Sequence, residues 1–512
     1  MQTVLFIWQP TKFYSDHIEQ KVAKRDNMIG RLILSAIKKV YSKANARTAE
    51  YCIKNALDDQ LCAIDKPGQK YLITMSDCLP TELLANFDYA KVVLNQNQLL
   101  KSIEECSSQV DCVVLLYSDA IGQGFERVEL LLKGNGKRIY VLNGRKRFFI
   151  LSNEVYRKIR LRRIIEKYCF FELIFSALFI IFIWPYFFYE WLTRQKSRVI
   201  LRKERLVEQV DSKYNSSELK GSRKIADYWS SKPQTYGIKD GKAIYADNKD
   251  ETVTVNLGSK EFFNQVDKTF YSWNQSLHYN SKGDFFPFSK IFNYEKYKEK
   301  PVLEVGCGMG TMAMNWAKKG ANIHAIDLSQ QSIEQTRERF RILNLEGDIR
   351  QSDARELPFE SNQFSYVYSW GVLHHSPDIN KSFEEIYRVL VPGGQVGIML
   401  YNRNSLLFRY FIQYNEGFLH FENNFLNLLQ LASRYGDGYM EEGNPHTYPV
   451  TKKEVLNEIM PQYKNLKIKL FGTDIPWMLS YLCQPYSKRI PLYLIKSIAR
   501  RFGWSMWIEA EK

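Results

Sequence analysis

Apolar and polar positions follow two rhythms along the chain, separated by one stretch that has neither. Over the first 152 residues, apolar runs of strand length recur at 4–8, 71–75, 91–94, 111–117, 138–142 and 148–151. Helically spaced stretches lie between them, at 28–44, 81–85, 98–105 and 125–132. Strand alternating with helix predicts a small α/β module around a parallel sheet. Turn residues punctuate it at Leu79-Pro80, Gly122-Gln123-Gly124 and Gly134-Asn135-Gly136; the Gly122-x-Gly124 pair reads as a turn.

The rhythm then stops. Residues 169–189 read CFFELIFSALFIIFIWPYFFY, 21 residues with one charge, Glu172. About 20 apolar residues cross a bilayer core, and a run apolar on every face exceeds a typical core helix. Trp184, Tyr186, Phe187, Phe188, Tyr189 and Trp191 crowd its end, where aromatic side chains suit a membrane interface. Pro185 should kink or end a helix there. The expectation is an apolar, membrane-associated helical segment.

Residues 206–250 are polar and mixed in charge, a linker, with entry to the next domain near Ala226-Asp227-Tyr228-Trp229. From 300 the alternation resumes. A strand at 302–305 precedes a helix at 311–319, and a strand at 322–326 ends in Asp327. A helix at 331–343 and a short strand before Gln351 follow. An apolar stretch at 364–373, a helix at 383–390 stopped by Pro392-Gly393-Gly394, and a strand at 395–400 complete the series. The organisation expected is an α/β module at 1–152, a basic-flanked apolar segment at 153–208, a linker and cap at 209–299, a core at 300–405 and an extension at 406–512.

Composition narrows this. The 512 residues are 45% hydrophobic and 25% charged, which excludes wholesale disorder and a polytopic membrane protein. The charge is less ordinary: 71 Lys and Arg against 56 Asp and Glu leave +15, a surplus that suits a polyanionic partner. Its position decides which. Residues 157–205 hold 12 basic and 4 acidic side chains, a net +8. Arg157, Lys158, Arg160, Arg162, Arg163 and Lys167 precede the apolar run, and Arg194, Lys196, Arg198, Arg202, Lys203 and Arg205 follow it. Basic flanks on both sides fit a re-entrant or interfacial segment on an anionic membrane surface at least as well as a single transmembrane span. The expected location is cytoplasmic and membrane-associated, and nucleic acid is not the expected partner. Eight cysteines without a C-x-x-C pair fit free thiols in a reducing compartment, and no metal is expected.

The chemistry gathers at Pro301–Gly310, P-V-L-E-V-G-C-G-M-G. An apolar strand runs into Gly306, Gly308 and Gly310, and a helix follows. Such a loop lets backbone approach a ligand closely. Asp327, 21 residues after Gly306, can accept both ribose hydroxyls of an adenosine. A dinucleotide fingerprint, G-x-G-x-x-G, needs its third glycine at 311; that position is Thr.

The G-x-G-x-G spacing, with Glu304 before it, resembles the first motif of class I S-adenosylmethionine-dependent methyltransferases. Downstream order strengthens the likeness: Gln351-Ser352-Asp353-Ala354, then Leu357-Pro358-Phe359, then Phe364 through Ser369-Trp370-Gly371-Val372-Leu373-His374-His375. It covers about 230–405 and is nearest to ubiquinone and menaquinone methyltransferases and their small-molecule relatives. The resemblance implies a Rossmann-like seven-stranded sheet with helices on both faces and S-adenosylmethionine (SAM) as cofactor. It implies cofactor contacts from Glu304, Gly306, Gly308, Gly310, Asp327, Leu328, Asp353, Ala354, Ser369 and Trp370, with the acidic Asp353 at the adenine amine. His374 and His375 are candidate catalytic bases, with loop packing as their plainer reading. Methyl transfer from a sulfonium is an in-line displacement for which positioning supplies much of the rate, so no acid–base pair is obligatory.

Trp229, Tyr236, Phe262, Phe263, Trp273, His278, Tyr279, Phe285, Phe286, Phe288, Tyr401, Asn402, Arg403, Tyr410 and residues 443–448 are candidates for an acceptor pocket. Their aromatic density suits a flat or apolar acceptor and plain core packing equally. The expected acceptor is a small molecule, a glycan precursor or a lipid-linked intermediate. A quinone-type C-methyltransferase and a non-catalytic SAM-binding scaffold are the alternatives, the intact glycines and Asp327 arguing against the scaffold. The first 152 residues loosely resemble half of a two-domain nucleotide-sugar glycosyltransferase, or form a docking module.

Overall fold

The computed structural model describes residues 2–8, 67–75, 87–117, 119–134, 136–143, 147–169, 225–230, 237–239, 242–246, 252–274, 279, 283–437, 444–472, 474–475 and 491–512. The expected helices at 28–44 and 81–85, and the apolar run beyond Cys169, lie outside them. Among the described residues no helix is long and apolar enough to cross a membrane. The chain divides into two compact units, one of residues 1–192 with 419–421 and the other of the remainder.

The first unit contains a six-stranded sheet in the order β3-β2-β1-β4-β5-β6. Its strands are β1 (Gln2–Trp8), β2 (Pro67–Thr74), β3 (Tyr89–Val92), β4 (Cys112–Leu116), β5 (Arg138–Leu142) and β6 (Phe148–Ile150). All pair in parallel except β6. Helices α1 (Gln96–Ser107), α2 (Glu126–Gly134) and α3 (Asn153–Cys169) accompany it. β4 is buried at every position, as its uninterrupted apolar run requires of a strand covered on both faces. α3 holds the basic flank expected to meet a membrane, but not all of that flank is available. Arg163 is buried, its guanidinium donating to both Glu129 carboxylate oxygens at 2.7 and 2.6 Å, and Arg162 is buried as well.

The second unit is built on a seven-stranded sheet in the order β12-β11-β10-β13-β14-β16-β15. The strands are β10 (Pro301–Val305), β11 (Asn322–Asp327), β12 (Asp348–Gln351), β13 (Phe364–Trp370), β14 (Leu390–Tyr401), β15 (Lys464–Phe471) and β16 (Ser505–Glu511). Six run in one direction; β16 alone is reversed, pairing antiparallel with both β14 and β15. Residues expected as a linker instead include a three-stranded antiparallel sheet, β7 (Gly237–Lys239), β8 (Lys242–Ala246) and β9 (Thr252–Asn256). Helix α4 (Lys260–Trp273) follows, started by Ser259, whose hydroxyl accepts the Phe262 N–H, an ordinary N-cap. Helices α5 (Thr311–Lys318), α6 (Gln330–Ile342), α7 (Ile379–Val389), α8 (Leu428–Tyr435) and α9 (Leu492–Phe502) also belong to the unit, with a π-helix at Leu407–Leu419 and shorter helical turns. The Pro392-Gly393-Gly394 segment lies within β14 rather than before it, and Gly393 takes a positive φ of 75° there.

Two large apolar clusters lie within this unit, beside a smaller one at Phe262, Phe263 and Val266. One holds Leu303, Val305, Phe364, Val367, Phe383, Ile386, Ile398 and Ile508. The other is aromatic: Phe288, Phe292, Tyr294, Tyr297, Trp316, Tyr366, Tyr368 and Trp507. Burying rings of this size gives much of the fold's stabilisation, at about 25 cal/mol per Å² of apolar surface. Both clusters brace β10 and β13, the neighbouring strands whose carboxyl ends carry the site.

Candidate functional site

A cavity of about 270 Å³ opens at the carboxyl ends of β10, β11 and β13. In open α/β sheets this is where ligands bind, because the strand order reverses between two neighbours and their loops part. Here the reversal falls between β10 and β13.

The loop after β10 is shaped by backbone. Gly306 and Cys307 donate their N–H groups to the Ile326 carbonyl at 2.8 and 2.9 Å, which ties the loop to the end of β11. Gly306 has φ +83°, and a Cβ there would lie 2.3 Å from a Val372 methyl; only glycine fits. Gly310 starts α5 with φ 71°. Asp267 on α4 holds the loop from outside, accepting from the Thr311 hydroxyl at 2.9 Å and from Arg339 at 2.6 Å.

Asp327 ends β11 and closes the cavity on one side. Its Oδ2 accepts the Gly308 N–H and its Oδ1 the Ser329 N–H, both at 2.9 Å. Burial pushes this carboxyl up, against the pull of those backbone donors. A carboxylate offers about four acceptor positions, more than the backbone donors of Gly308, Leu328 and Ser329 fill. Asp353, on another wall, accepts from Arg355 at 2.9 Å. Glu304 is almost fully buried on the wall, and its Oε2 has no hydrogen-bond partner among the described residues. Burial raises its carboxyl to about 8, while the nearby Tyr368 hydroxyl favours the carboxylate. Carboxyl groups in one cavity suit a ligand carrying hydroxyl and amino donors, and among the described residues the lining holds no Lys or Arg for a pyrophosphate. The residues therefore fit SAM, with its ribose hydroxyls, adenine amine and α-amino group, better than a dinucleotide.

Of the residues singled out from sequence, Glu304, Gly306, Gly308, Asp327, Leu328, Asp353, Ala354, Trp370 and His375 line the cavity. Gly310 stands just behind it, its Cα side closed by Thr336, where a Cβ would lie at 2.7 Å. Ser369 is not on the wall: it is fully buried, and its hydroxyl donates to the Val305 carbonyl at 2.8 Å. It braces β10 against β13. The Cys307 thiol is buried and pushed well up by that burial, which keeps it a packed apolar group.

The two histidines part company. His374 is fully buried, and neither ring nitrogen has a hydrogen-bond partner among the described residues. Burial holds it well below its ordinary value, so it is neutral. It stacks on Tyr401 at 3.7 Å, and Tyr401 stacks on Trp504 at 4.4 Å. His375 faces the cavity beside Trp229, ring centroids 5.0 Å apart. Its Nδ1 lies 2.8 Å from the His446 carbonyl and 3.2 Å from Thr447 Oγ1. Its Nε2 lies 3.6 Å from Asp437 Oδ2.

Of the acceptor-pocket candidates, only Trp229 lines the cavity among the described residues. Phe262, Phe263 and Phe288 are core; Tyr279 and Phe285 are exposed. Arg403 is buried on Glu454 at 2.6 Å, and Asn402 donates to the Gly503 carbonyl at 2.9 Å. Tyr236 and His278 fall outside the described residues. The apolar wall comes instead from Ile225, Ala226, Val266, Phe270, Met309 and Met312. Val266 and Phe270, four residues apart on α4, share a helical face with Phe262; that period was the available signal. Ser230 fastens the 225–230 segment down, its hydroxyl 2.6 Å from that of Ser329.

Comparison with known proteins agrees with this geometry. Residues 302–394 match the model of the methyltransferase domain family. Phosphoethanolamine N-methyltransferase 2 of Caenorhabditis elegans is 32% identical over 32% of this chain and 38% of its own length. A sterol 24-C-methyltransferase of Schizosaccharomyces pombe is 33% identical over 25% of this chain and 37% of its own. The chain thus spans well under half the length of these curated relatives. The crystal structure of geranyl diphosphate C-methyltransferase from Streptomyces coelicolor is 15% identical, covering 58% of this chain and 98% of its own, with a TM-score of 0.34. Residues 302–394 are a SAM-dependent methyltransferase domain.

Proposed function

We propose that the protein transfers a methyl group from SAM to a small-molecule acceptor with an apolar body. The observation that carries this is Asp327: it ends the second strand of the sheet, faces the glycine loop, and keeps acceptor positions toward a cavity it shares with Glu304 and Asp353. When bound, SAM supplies an activated methyl on a sulfonium, whose leaving group is a neutral thioether. The chain's own part is to hold and align. Asp327 would take the ribose hydroxyls, Asp353 the adenine amine and Glu304 the α-amino group, while Val266, Phe270, Met309, Met312 and Trp229 exclude water around the acceptor. Holding two reactants in line can supply about 7–11 kcal/mol of a barrier.

The relatives named for phosphoethanolamine and sterols support a small-molecule acceptor over nucleic acid. The apolar wall favours the sterol-like end of that range, which keeps a quinone-type acceptor open. The test is incubation with methyl-labelled SAM and cell extract, followed by separation into lipid, glycan, protein and nucleic-acid fractions. Label should enter the lipid or small-molecule fraction; label in nucleic acid alone would overturn the reading.

Membrane attachment on the cytoplasmic side belongs to the same proposal. It rests on the run at 169–189 and its basic flanks, less the buried Arg162 and Arg163. Liposome flotation should carry the full-length protein upward with anionic vesicles. Protein that stays at the bottom of the gradient would refute attachment.

A further inference from the structure

The apolar wall leaves the acceptor's reacting atom undefined, but the surroundings of His375 narrow it. A carbonyl oxygen only accepts, so the contact of Nδ1 with the His446 carbonyl at 2.8 Å puts the ring proton on Nδ1. Thr447 agrees: its hydroxyl donates to Asn444 Oδ1 at 2.7 Å and is left to accept from Nδ1. Nε2 of the neutral ring is therefore a bare lone pair, without a hydrogen-bond partner among the described residues, on a residue that lines the cavity. Leaving a buried acceptor unmatched is costly, and a ligand donor would remove the cost.

Asp437 is placed for the moment that donor gives up its proton. Its Oδ2 lies 3.6 Å from Nε2. The carboxylate is held by the Tyr401 hydroxyl on Oδ1 and by Asn444 Nδ2, 2.5 Å from Oδ2. The stack of His374, Tyr401 and Trp504 fixes that hydroxyl. His374, His375 and Asp437 also bring three potential metal ligands within 4.8 Å of one another. Of the three, however, only His375 lines the cavity; His374 is fully buried in its stack on Tyr401.

Resting on the methyltransferase reading, we infer that His375 is the general base for an acceptor hydroxyl, with Asp437 as its positioning and charge-stabilising partner. The acceptor class is an apolar alcohol or phenol. Nε2 takes the hydroxyl proton as the oxygen forms its bond to the methyl carbon and the sulfur–carbon bond breaks, its electron pair remaining on sulfur. The products are a methyl ether and neutral S-adenosylhomocysteine, and the imidazolium then returns its proton to water. An alkene needs no base before it attacks, and a neutral amine attacks unaided.

The experiment uses the full-length protein saturated with S-adenosylhomocysteine. Nitrogen-15 spectra of labelled histidines should show His375 as the Nδ1–H tautomer. Asp437→Asn should move the Nε2 resonance, because it removes the carboxylate 3.6 Å away, while Nδ1 keeps its proton. The other charged or titratable groups around the ring and cavity, His374, Tyr401, His446, Glu304, Asp327, Asp353 and Arg355, stay in place. In parallel, methyl-labelled SAM is offered with a panel of long-chain alcohols, sterols and phenols, together with matching alkenes and amines. Wild type should form labelled ethers. His375→Asn should lose about a hundredfold or more of that rate, while its affinity for S-adenosylhomocysteine stays within about twofold, which also reports that the variant folds. An Nε2–H tautomer, label only in alkenes or amines, no ether from any hydroxyl compound, or ether formation by His375→Asn near the wild-type rate would each overturn the inference. So would zinc chloride shifting both histidine rings at stoichiometric amounts. If wild type fails to bind S-adenosylhomocysteine, the methyltransferase reading itself falls; if it binds and only these results fail, this inference falls alone.

Discussion

The two sheets of this chain place their first five strands in the same order, third-second-first-fourth-fifth, and differ in what they put at the reversal. In the second unit the first strand runs into three glycines and the second ends in Asp327, and a cavity of about 270 Å³ results. In the first unit, the fourth strand runs into Tyr117, whose ring is buried against Phe125 and whose hydroxyl donates to Glu129, itself paired with Arg163. Gly122 packs beneath that ring: a Cβ there would lie 2.4 Å from it. The topology is shared, and the described strand ends differ in their side chains; in the first unit the residues after β1 lie outside the described ones. Glycines and carboxylates leave room and hydrogen-bond capacity; an aromatic ring with a buried ion pair uses both in holding its own loop.

The largest break in this comparison should come from Arg163→Met. Removing one partner of a buried ion pair costs about 3–5 kcal/mol, because Glu129 is left charged and buried. Urea unfolding should show the first unit losing its cooperative transition or moving to much lower denaturant. Affinity for S-adenosylhomocysteine should stay within about twofold, since neither residue lines the cavity. A matching loss of affinity would mean that the two units do not divide their roles in this way.

Gly306→Ala acts at the corresponding place in the second unit. With φ +83° and a Val372 methyl 2.3 Å from the new Cβ, the backbone must move, at a cost of about 1–3 kcal/mol for strain of this kind. Calorimetry should find binding at least about tenfold weaker. Gly308→Ala, with φ +51° but no neighbour within 4 Å of the new Cβ, should destabilise the fold less. Equal losses of stability would show that the loop reads glycine for flexibility and not for fit.

Asp327→Asn should weaken binding by about 1.5–3 kcal/mol, the loss of charged hydrogen bonds. Glu304→Gln acts on stability through its pH dependence. The carboxyl keeps its proton in the folded protein up to about 8, whereas in the unfolded chain it loses it near about 4.3. Between those values the native state binds the extra proton, so this group makes stability fall as pH rises, by about 1.4 kcal/mol per unit at most. The Gln variant should lack that slope. Thermal melts of both proteins from pH 5 to 8 should diverge in favour of the variant as pH increases; parallel curves would place the Glu304 titration elsewhere.

Legibility from sequence followed chain distance. The glycine loop, its strand and helix, and Asp327 were readable because glycine spacing and apolar periodicity are local signals. The walls were not. Val266 and Phe270 approach the loop from about forty residues upstream, and their period alone could not say which face meets a ligand. β16 enters the sheet between β14 and β15, pairing Gln395 with Glu511, a register no local pattern encodes. His375 was one of two adjacent candidates until Asp437, His446 and Thr447, all far along the chain, converged on it. Arg403 and Ser369 erred in the other direction: polar residues near the site, yet committed to Glu454 and to the Val305 carbonyl. The first sheet was readable as parallel α/β, but the buried Arg163 looked like one more member of a basic flank.

The central claim is that the reversal in the second sheet, and not the one in the first, binds SAM. Titration calorimetry of the full-length protein with S-adenosylhomocysteine, and separately with NAD, tests it most directly. One equivalent of S-adenosylhomocysteine should bind, Asp327→Asn should bind at least about tenfold more weakly, and NAD should give no heat. Binding of NAD in preference, or an affinity for S-adenosylhomocysteine that Asp327→Asn leaves unchanged, would contradict the account.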